Sequence, residues 1–219
     1  MIEKRAEKIL ETLRKSFTLP KWISSRHDPF ETLIITIISQ NTSDRNTAKA
    51  FENLSKKFSI NPKTLANAET TEIEECLRVA GLYRNKARVI KEISKIILKK
   101  FGGSLTPILS MPFENARKTL MQLPGVGPKT ADVLLLFSAS QPTIPVDTHV
   151  KRVSKRLGLA PVNGDYEAVR NSLQLLYKPK DYLEIHILLI LLGRKYCKAR
   201  NPLCKPCPIN PLCPSRRSS

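Results

Sequence analysis

The segment LPGVGPKTAD, residues 123–132, organises this chain, because it crowds two glycines, two prolines and a lysine into ten residues. It follows an apolar pattern at helical spacing over residues 113–120, and Pro128 suits the first position of a new helix, where its missing N–H costs nothing. Gly125 and Gly127 are expected to take positive φ and to close a tight turn with no side chain over the backbone. The segment therefore predicts a helix, a short glycine hairpin and a second helix.

Such a hairpin points backbone N–H groups outward beside a helix N-terminus, which is an arrangement that binds a phosphate. The alternative is a plain corner between two helices, in which the glycines serve packing only. The composition favours the phosphate, since 37 Lys and Arg against 19 Asp and Glu give a net charge of +18. An excess of this size is typical of proteins that bind nucleic acid or an anionic membrane face.

Two polar residues in or after this hairpin are candidates for chemistry. Lys129 falls in the first turn of the second helix, where the helix dipole disfavours a positive charge. It either contacts a phosphate or has an amine whose pKa is lowered by the positive field, so that the neutral amine acts as a nucleophile. Asp147 precedes Thr148-His149. It either caps the next helix or is a carboxylate that stabilises positive charge on a substrate.

The C-terminal segment predicts a metal or cluster site. Its four cysteines lie within 17 residues in the spacing C-x6-C-x2-C-x5-C, and residues 185–219 contain seven Lys or Arg but no Asp or Glu. Zinc is the default for four thiolates, but it usually takes two CxxC pairs and only one is present, so the spacing favours an iron–sulfur cluster. The ligands would be Cys197, Cys204, Cys207 and Cys213. Cys76, on an apolar helix face, is expected in the core.

The remaining sequence predicts an all-α protein with about ten short helices, because apolar residues recur at helical spacing in nearly every segment. Asp28 is placed to cap a helix that starts at Pro29, and Glu31 would complete a capping box. No apolar run approaches the roughly 20 residues of a membrane span. The first residues, MIEKRAEKIL, lack a signal-peptide core. These features indicate a cytoplasmic, nucleoid-associated protein, or a nuclear one in a eukaryote.

Three motifs in this order, LPGVGPKTAD, VDTHVKR and the cysteine spacing, make the chain resemble endonuclease III, the iron–sulfur branch of the helix-hairpin-helix DNA glycosylases. The resemblance runs from about residue 30 to residue 213. It implies two helical domains with DNA held in a cleft between them and a [4Fe-4S] cluster on the four cysteines. The implied parts are an N-terminal helix (1–24) packed with the cluster domain, a helical barrel domain ending in the hairpin (25–130), and a helical domain (131–219) with the cluster loop (197–213).

The resemblance also implies an activity. Lys129 matches the family's catalytic lysine and Asp147 its catalytic aspartate, which makes the chain a bifunctional DNA glycosylase and abasic-site lyase. Its partner would be double-stranded DNA with a damaged base, by default an oxidised pyrimidine, or an abasic site, and it would act as a monomer on a flipped-out base. Two alternatives remain: a mismatch-type thymine, uracil or adenine glycosylase of the same superfamily, and a non-catalytic DNA-binding module with a zinc-stapled tail.

Further DNA contacts follow from the resemblance. The loop SQNTSD (39–44) aligns with one that fills the hole left by the flipped base, but Asn41 stands where the family has Gln, and Gln40 is a candidate to compensate. Leu82 matches an apolar wedge into the opposite strand, with a buried leucine as the alternative. His149 would touch a phosphate or pack. Trp22 and His186 are expected to be structural. The other candidate contacts are Gly125, Val126, Gly127, Thr130, Arg194, Lys195, Lys198, Arg200 and Lys205.

Overall fold

The computed structural model describes residues 2–20, 23 and 28–216; Trp22 and Arg217 lie outside this part. Every regular element in the described part is helical, which confirms the all-α prediction. There are twelve α-helices in it where about ten were expected. They are α1 (Ile2–Ser16), α2 (Pro29–Ile38), α3 (Asp44–Lys57), α4 (Pro62–Asn67), α5 (Thr70–Leu77), α6 (Tyr83–Lys100), α7 (Thr106–Leu109), α8 (Phe113–Met121), α9 (Pro128–Ala139), α10 (Thr148–Arg156), α11 (Tyr166–Leu176) and α12 (Tyr182–Lys195).

The chain forms two compact units, one of Met1–Ser25 with Pro142–Ser219 and the other of Arg26–Gln141. We call them the terminal unit and the central unit. The central unit ends at Gln141, eleven residues beyond the domain end expected at residue 130. The reason is that α9 packs against α2 and α8, and its Ala131, Leu134 and Leu135 belong to the core of the central unit. The glycine hairpin is therefore an internal turn of that unit.

The central unit is built around α2, whose β-branched run forms a helix and not a buried strand. Asp28 caps it, accepting hydrogen bonds from the backbone N–H groups of Phe30 and Glu31 at 2.9 Å each. This cap fixes the helical start, so the apolar residues that follow turn into a core shared with α6 and α9. Cys76 lies in the same core, as expected, and burial raises the pKa of its thiol.

In the terminal unit, α1 buries its apolar stripe and packs against α11 and α12. Arg5 of α1 donates hydrogen bonds to the backbone carbonyls of Gly158, at 3.0 Å, and of Leu212, at 3.3 Å. The first helix is thereby joined to the segment that carries the cysteines. None of the helices in the described residues is both long enough and apolar enough to cross a bilayer.

Candidate active site

The hairpin between α8 and α9 has one position that suits only glycine. Gly125 has φ +72°, and a Cβ added there would lie 2.7 Å from Cγ1 of Val89 on α6, so neither its backbone angle nor its surroundings admit a side chain. Gly127 differs from the prediction of positive φ: it is extended, with φ −95° and ψ −177°, because it is the residue that precedes the first turn of α9. Any residue can adopt that conformation, and open space surrounds its Cα.

Four predicted contact residues of the hairpin separate into an exposed pair and a buried pair. Gly125 and Gly127 are exposed. Val126 is in the core, and its N–H donates to the carbonyl of Leu123 at 3.1 Å, so it has turned away from the surface. Thr130 is also buried. A contact from Thr130 to a ligand is therefore restricted to its backbone N–H in the first turn of α9.

Lys129 is the second residue of α9 and is half-buried. Gly127, the N-cap residue of the helix, has no side chain to cap it. The positive end of the helix dipole lies beside Lys129. One turn further, Asp132 is fully buried and its Oδ1 accepts a hydrogen bond from Nε of Arg117 at 2.8 Å, which ties α9 to α8.

The loop after α2 is attached to the hairpin. Nε2 of Gln40 donates a hydrogen bond to the carbonyl of Gly125 at 3.1 Å. Asn41 is exposed and has φ +54°, a left-handed conformation that Asn tolerates better than most residues. The two neighbours therefore differ in their contacts: the side chain of Gln40 is hydrogen-bonded to the hairpin, whereas Asn41 is exposed at the surface.

Leu82 precedes α6 and is exposed. Its fractional exposure is 61%, so the alternative interpretation of a buried leucine is wrong. Its φ of +47° is left-handed, which costs a non-glycine residue roughly 1–2 kcal/mol. A large apolar side chain that is both exposed and held on a strained backbone points to contact with something outside the chain.

Lys86, which lies beneath both loops, was not predicted from the sequence. Its side chain is only 3% exposed, and Nζ donates to the carbonyls of Ile38 at 2.8 Å and Ala80 at 3.0 Å. Burial lowers the pKa of this amine. The signal was present in the sequence, since Lys86 is in helical register with the buried Ile90 and Ile93.

In the terminal unit, Asp147 caps α10 as predicted: its Oδ1 accepts from the N–H of Val150 at 2.7 Å. The two residues before it are also held. The N–H of Val146 donates to the hydroxyl of Tyr166 at 3.3 Å, and Nδ1 of buried His186 donates to the carbonyl of Pro145 at 2.9 Å. His186 is therefore structural, as expected, and the backbone leading to the carboxylate is fixed.

His149 packs against α12. A Cβ at Gly193 would lie 3.0 Å from the Cβ of His149, so only glycine allows α12 this close to α10. The guanidinium of Arg152 lies 3.1 Å from Nδ1 of His149. Since a guanidinium only donates, Nδ1 accepts. Arg152 also donates to the carbonyls of Gly193, at 3.0 Å, and Cys197, at 2.9 Å.

The cysteines of the tail surround one small cavity of about 30 Å³, which all four line. Within the part of the chain that is described, no three His, Cys, Asp or Glu side chains are close enough to hold a single metal ion. Nη1 of Arg156 lies 3.5 Å from Sγ of Cys197, and Nδ2 of Asn210 donates to the carbonyl of Cys204 at 2.7 Å. Burial raises the pKa of the Cys207 and Cys213 thiols.

The basic residues of the tail that were predicted to contact DNA are all exposed. They are Arg194, Lys195, Lys198, Arg200 and Lys205.

Comparison with known proteins agrees with this arrangement. Residues 34–179 match the family described as HhH-GPD superfamily base excision DNA repair protein. Endonuclease III of Thermotoga maritima is 36% identical over 208 residues, which are 94% of this chain and 89% of that protein. A solved structure of a trapped endonuclease III–DNA covalent intermediate, an estranged-adenine complex, has a TM-score of 0.85 at 33% identity, covering 97% of this chain and 96% of the other. A thermostable thymine-DNA glycosylase has a TM-score of 0.80 with 97% of each chain covered, but at 21% identity it shows the fold alone.

Proposed function

The chain belongs to the endonuclease III family within the HhH-GPD superfamily of base-excision DNA repair proteins, and we propose that Lys129 and Asp147 carry its chemistry. It is a DNA glycosylase with abasic-site lyase activity. The observation that supports Lys129 most strongly is its place in the first turn of α9, directly after an exposed glycine hairpin and beside the positive end of the helix dipole.

The proposed reaction begins when the unprotonated amine of Lys129 attacks C1′ of the damaged nucleotide. The N-glycosidic bond breaks, and the base leaves with the bonding electron pair and takes up a proton. Opening of the sugar ring then gives a Schiff base between Nζ and C1′. This iminium acidifies the C2′ proton, and its loss expels the 3′ phosphate by β-elimination. Hydrolysis of the Schiff base returns the lysine.

Asp147 supplies the negative charge that this reaction needs. As the glycosidic bond breaks, positive charge develops on the sugar, and a fixed carboxylate stabilises it. The hydrogen bond from Val150 to Oδ1 and the anchored backbone before it hold the carboxylate in one orientation. Capping a helix and stabilising a cation are compatible, because a carboxylate has a second oxygen.

The predicted DNA contacts are proposed to divide between two tasks. Asn41 and Leu82 enter the duplex, and their exposed positions on left-handed backbone support this role. The N–H groups at the start of α9 and the exposed basic residues of the tail bind phosphates. We propose that the substrate is an oxidised pyrimidine or an abasic site in double-stranded DNA and that one copy of the chain suffices. The central and terminal units would be the two domains of the family, and the chain would act in the cytoplasm on the nucleoid, or in a nucleus.

We also propose that Cys197, Cys204, Cys207 and Cys213 hold a [4Fe-4S] cluster, which when bound fixes the fold of the tail. All four cysteines line one cavity. They include one CxxC pair where a zinc site usually has two, so their spacing favours the cluster. Iron and sulfide analysis of the purified protein tests this, and a colourless protein with stoichiometric zinc would contradict it.

The test of the proposed function is incision of duplexes that each hold one damaged base opposite each partner base. Wild-type protein should cut oxidised pyrimidines and abasic sites, whereas Lys129→Ala should cut neither yet bind DNA within a few-fold of wild type, because one phosphate contact among many is a small loss. Mismatch-type glycosylases often lack the lysine, so that alternative is not favoured. A Lys129→Ala variant that still cleaves abasic sites would contradict the proposed role of Lys129.

A further inference from the structure

Two buried or anchored side chains of the central unit bind backbone carbonyls close to the residues proposed to enter DNA. Nζ of Lys86 donates to Ile38, three residues before Asn41, and to Ala80, two residues before Leu82. Both carbonyls lie at helix ends, since α2 ends at Ile38 and a short 3₁₀-helix ends at Ala80. One ammonium group thus joins the segments on which the two penetrating residues stand.

The hydrogen bonds of Lys86 offset the cost of burying its ammonium group. Leu or Met in the same helical register would avoid that cost but would leave the carbonyls of Ile38 and Ala80 without this donor. The two helix C-termini also offset part of that cost, because their carbonyls carry partial negative charge. What Lys86 adds that an apolar residue cannot is a direct connection between the loop after α2 and the turn before α6.

The first turns of α6 also support the hairpin. Val89, one turn after Lys86, lies against the Cα of Gly125, and the carbonyl of Gly125 accepts the hydrogen bond from Gln40. Residues of α6 therefore contact three segments of the central unit, directly or through Gln40. These segments are the loop after α2, the turn that carries Leu82 and the glycine hairpin. A shift of any one of these three segments would be transmitted to the others through Lys86 or Gln40.

We propose that Lys86 is a positioning residue that fixes the spacing between Asn41 and Leu82, so that both enter the duplex together. This rests on the proposed function, in which those two residues replace the extruded base and wedge the opposite strand. Lys86 then governs extrusion of the base and not the chemistry at C1′. Its loss should slow removal of a paired damaged base and leave cleavage of a single-stranded abasic site unchanged, because that substrate has no opposite strand to open.

The first experiment reads penetration without catalysis. A duplex with 2-aminopurine opposite an uncleavable abasic-site analogue is saturated with protein, and unstacking of the 2-aminopurine raises its fluorescence. Lys86→Met should give a smaller rise than wild type, whereas the control Lys56→Ala, at an exposed lysine of α3 paired with Glu52, should give the full rise. A full rise with Lys86→Met, or no rise with wild type, overturns the inference. Failure of the wild-type protein to cleave abasic sites would instead contradict the proposed chemistry. The fluorescence comparison would still test the role of Lys86, because it does not depend on cleavage.

The second experiment separates positioning from ordinary core support. In single-turnover assays, Lys86→Met should excise a paired lesion roughly tenfold more slowly or worse, since small misplacements have effects of this size. Amide hydrogen exchange should rise at Gln40 and Gly81 and stay unchanged at Gly103, whose N–H bonds to Ile97 at 3.0 Å elsewhere in the unit. A uniform rise across the central unit overturns the inference. If the Met variant does not fold, Lys86→Gln replaces it in both experiments, because its amide nitrogen stands one bond nearer the backbone than Nζ and shortens the reach to the two carbonyls; the same directions of change are expected.

Discussion

At the scale of single residues, Asp147 has two duties that can be separated by substitution. Its Oδ1 caps α10, and its charge is proposed to stabilise the sugar cation. Asn caps a helix about as well as Asp but carries no charge. Asp147→Asn should therefore keep the unfolding free energy of wild type while lowering the single-turnover rate of base excision by roughly a hundredfold or more.

The matched control is Asp147→Ala, which removes both the charge and the cap. It should lose excision to the same degree and, in addition, about 1 kcal/mol of stability measured by urea unfolding. Wild-type excision by the Asn variant would show that the carboxylate serves only as a helix cap.

Also at this scale, sequence patterns do not show a contact that depends on a partner far along the chain. Asp28 and Asp147 were identified as caps because a cap acts on the residues that follow it at once. Lys86 binds Ile38, forty-eight residues away, and Gln40 binds Gly125, eighty-five residues away. Such pairs become visible only when the fold brings them together, although a lysine in register with buried isoleucines was a local warning.

At the scale of elements, the hairpin offers a pair of glycines with opposite requirements. Gly125→Ala should cost roughly 1–2 kcal/mol for the left-handed backbone alone, and more for the contact with Val89 at 2.7 Å. Gly127→Ala should change stability by less than about 1 kcal/mol, because Ala fits the extended backbone and restricts the unfolded chain but is a poorer N-cap residue than Gly. Urea unfolding of the two variants measures the difference.

DNA binding provides a second comparison of the Gly125→Ala and Gly127→Ala variants. If a DNA phosphate approaches the open face of Gly127, the methyl group of Gly127→Ala should weaken DNA binding while the fold stays intact. Equal stability losses in the two variants would contradict the observed hairpin, and unchanged DNA affinity of Gly127→Ala would remove the hairpin from the DNA contact.

Features that depend on neighbouring residues, such as helix caps, were predicted from the sequence. Features that depend on packing between distant helices were not. The predicted cap at Asp28 forms, and α2 starts at Pro29 as expected. Gly127 was expected to need positive φ because glycines favour such turns, but its place before α9 requires only an extended backbone. The resemblance implied a domain boundary at the hairpin, whereas residues of α9 belong to the core of the central unit.

At the scale of the whole molecule, the net charge of +18 predicts DNA binding that weakens steeply with salt. Replacing Arg194 and Lys198 together by Ala should reduce the slope of log K against log salt by nearly two, at about 0.9 per phosphate contact. Lys56→Ala is the control, since that lysine is paired with Glu52 on α3 and should leave the slope unchanged. Titrations of one duplex at several salt concentrations give the slopes, and an unaltered slope for the double variant would exclude the tail from the phosphate contacts.

The central claim is that one particular amine, Nζ of Lys129, forms the covalent bond to C1′. The most direct measurement is borohydride reduction of the protein on DNA with an abasic site, followed by proteolysis and mass-spectrometric mapping of the modified lysine. We expect a single adduct, on the peptide that contains Lys129. An adduct on a different lysine, or no trapped adduct in a preparation that still cuts the strand, would contradict the account.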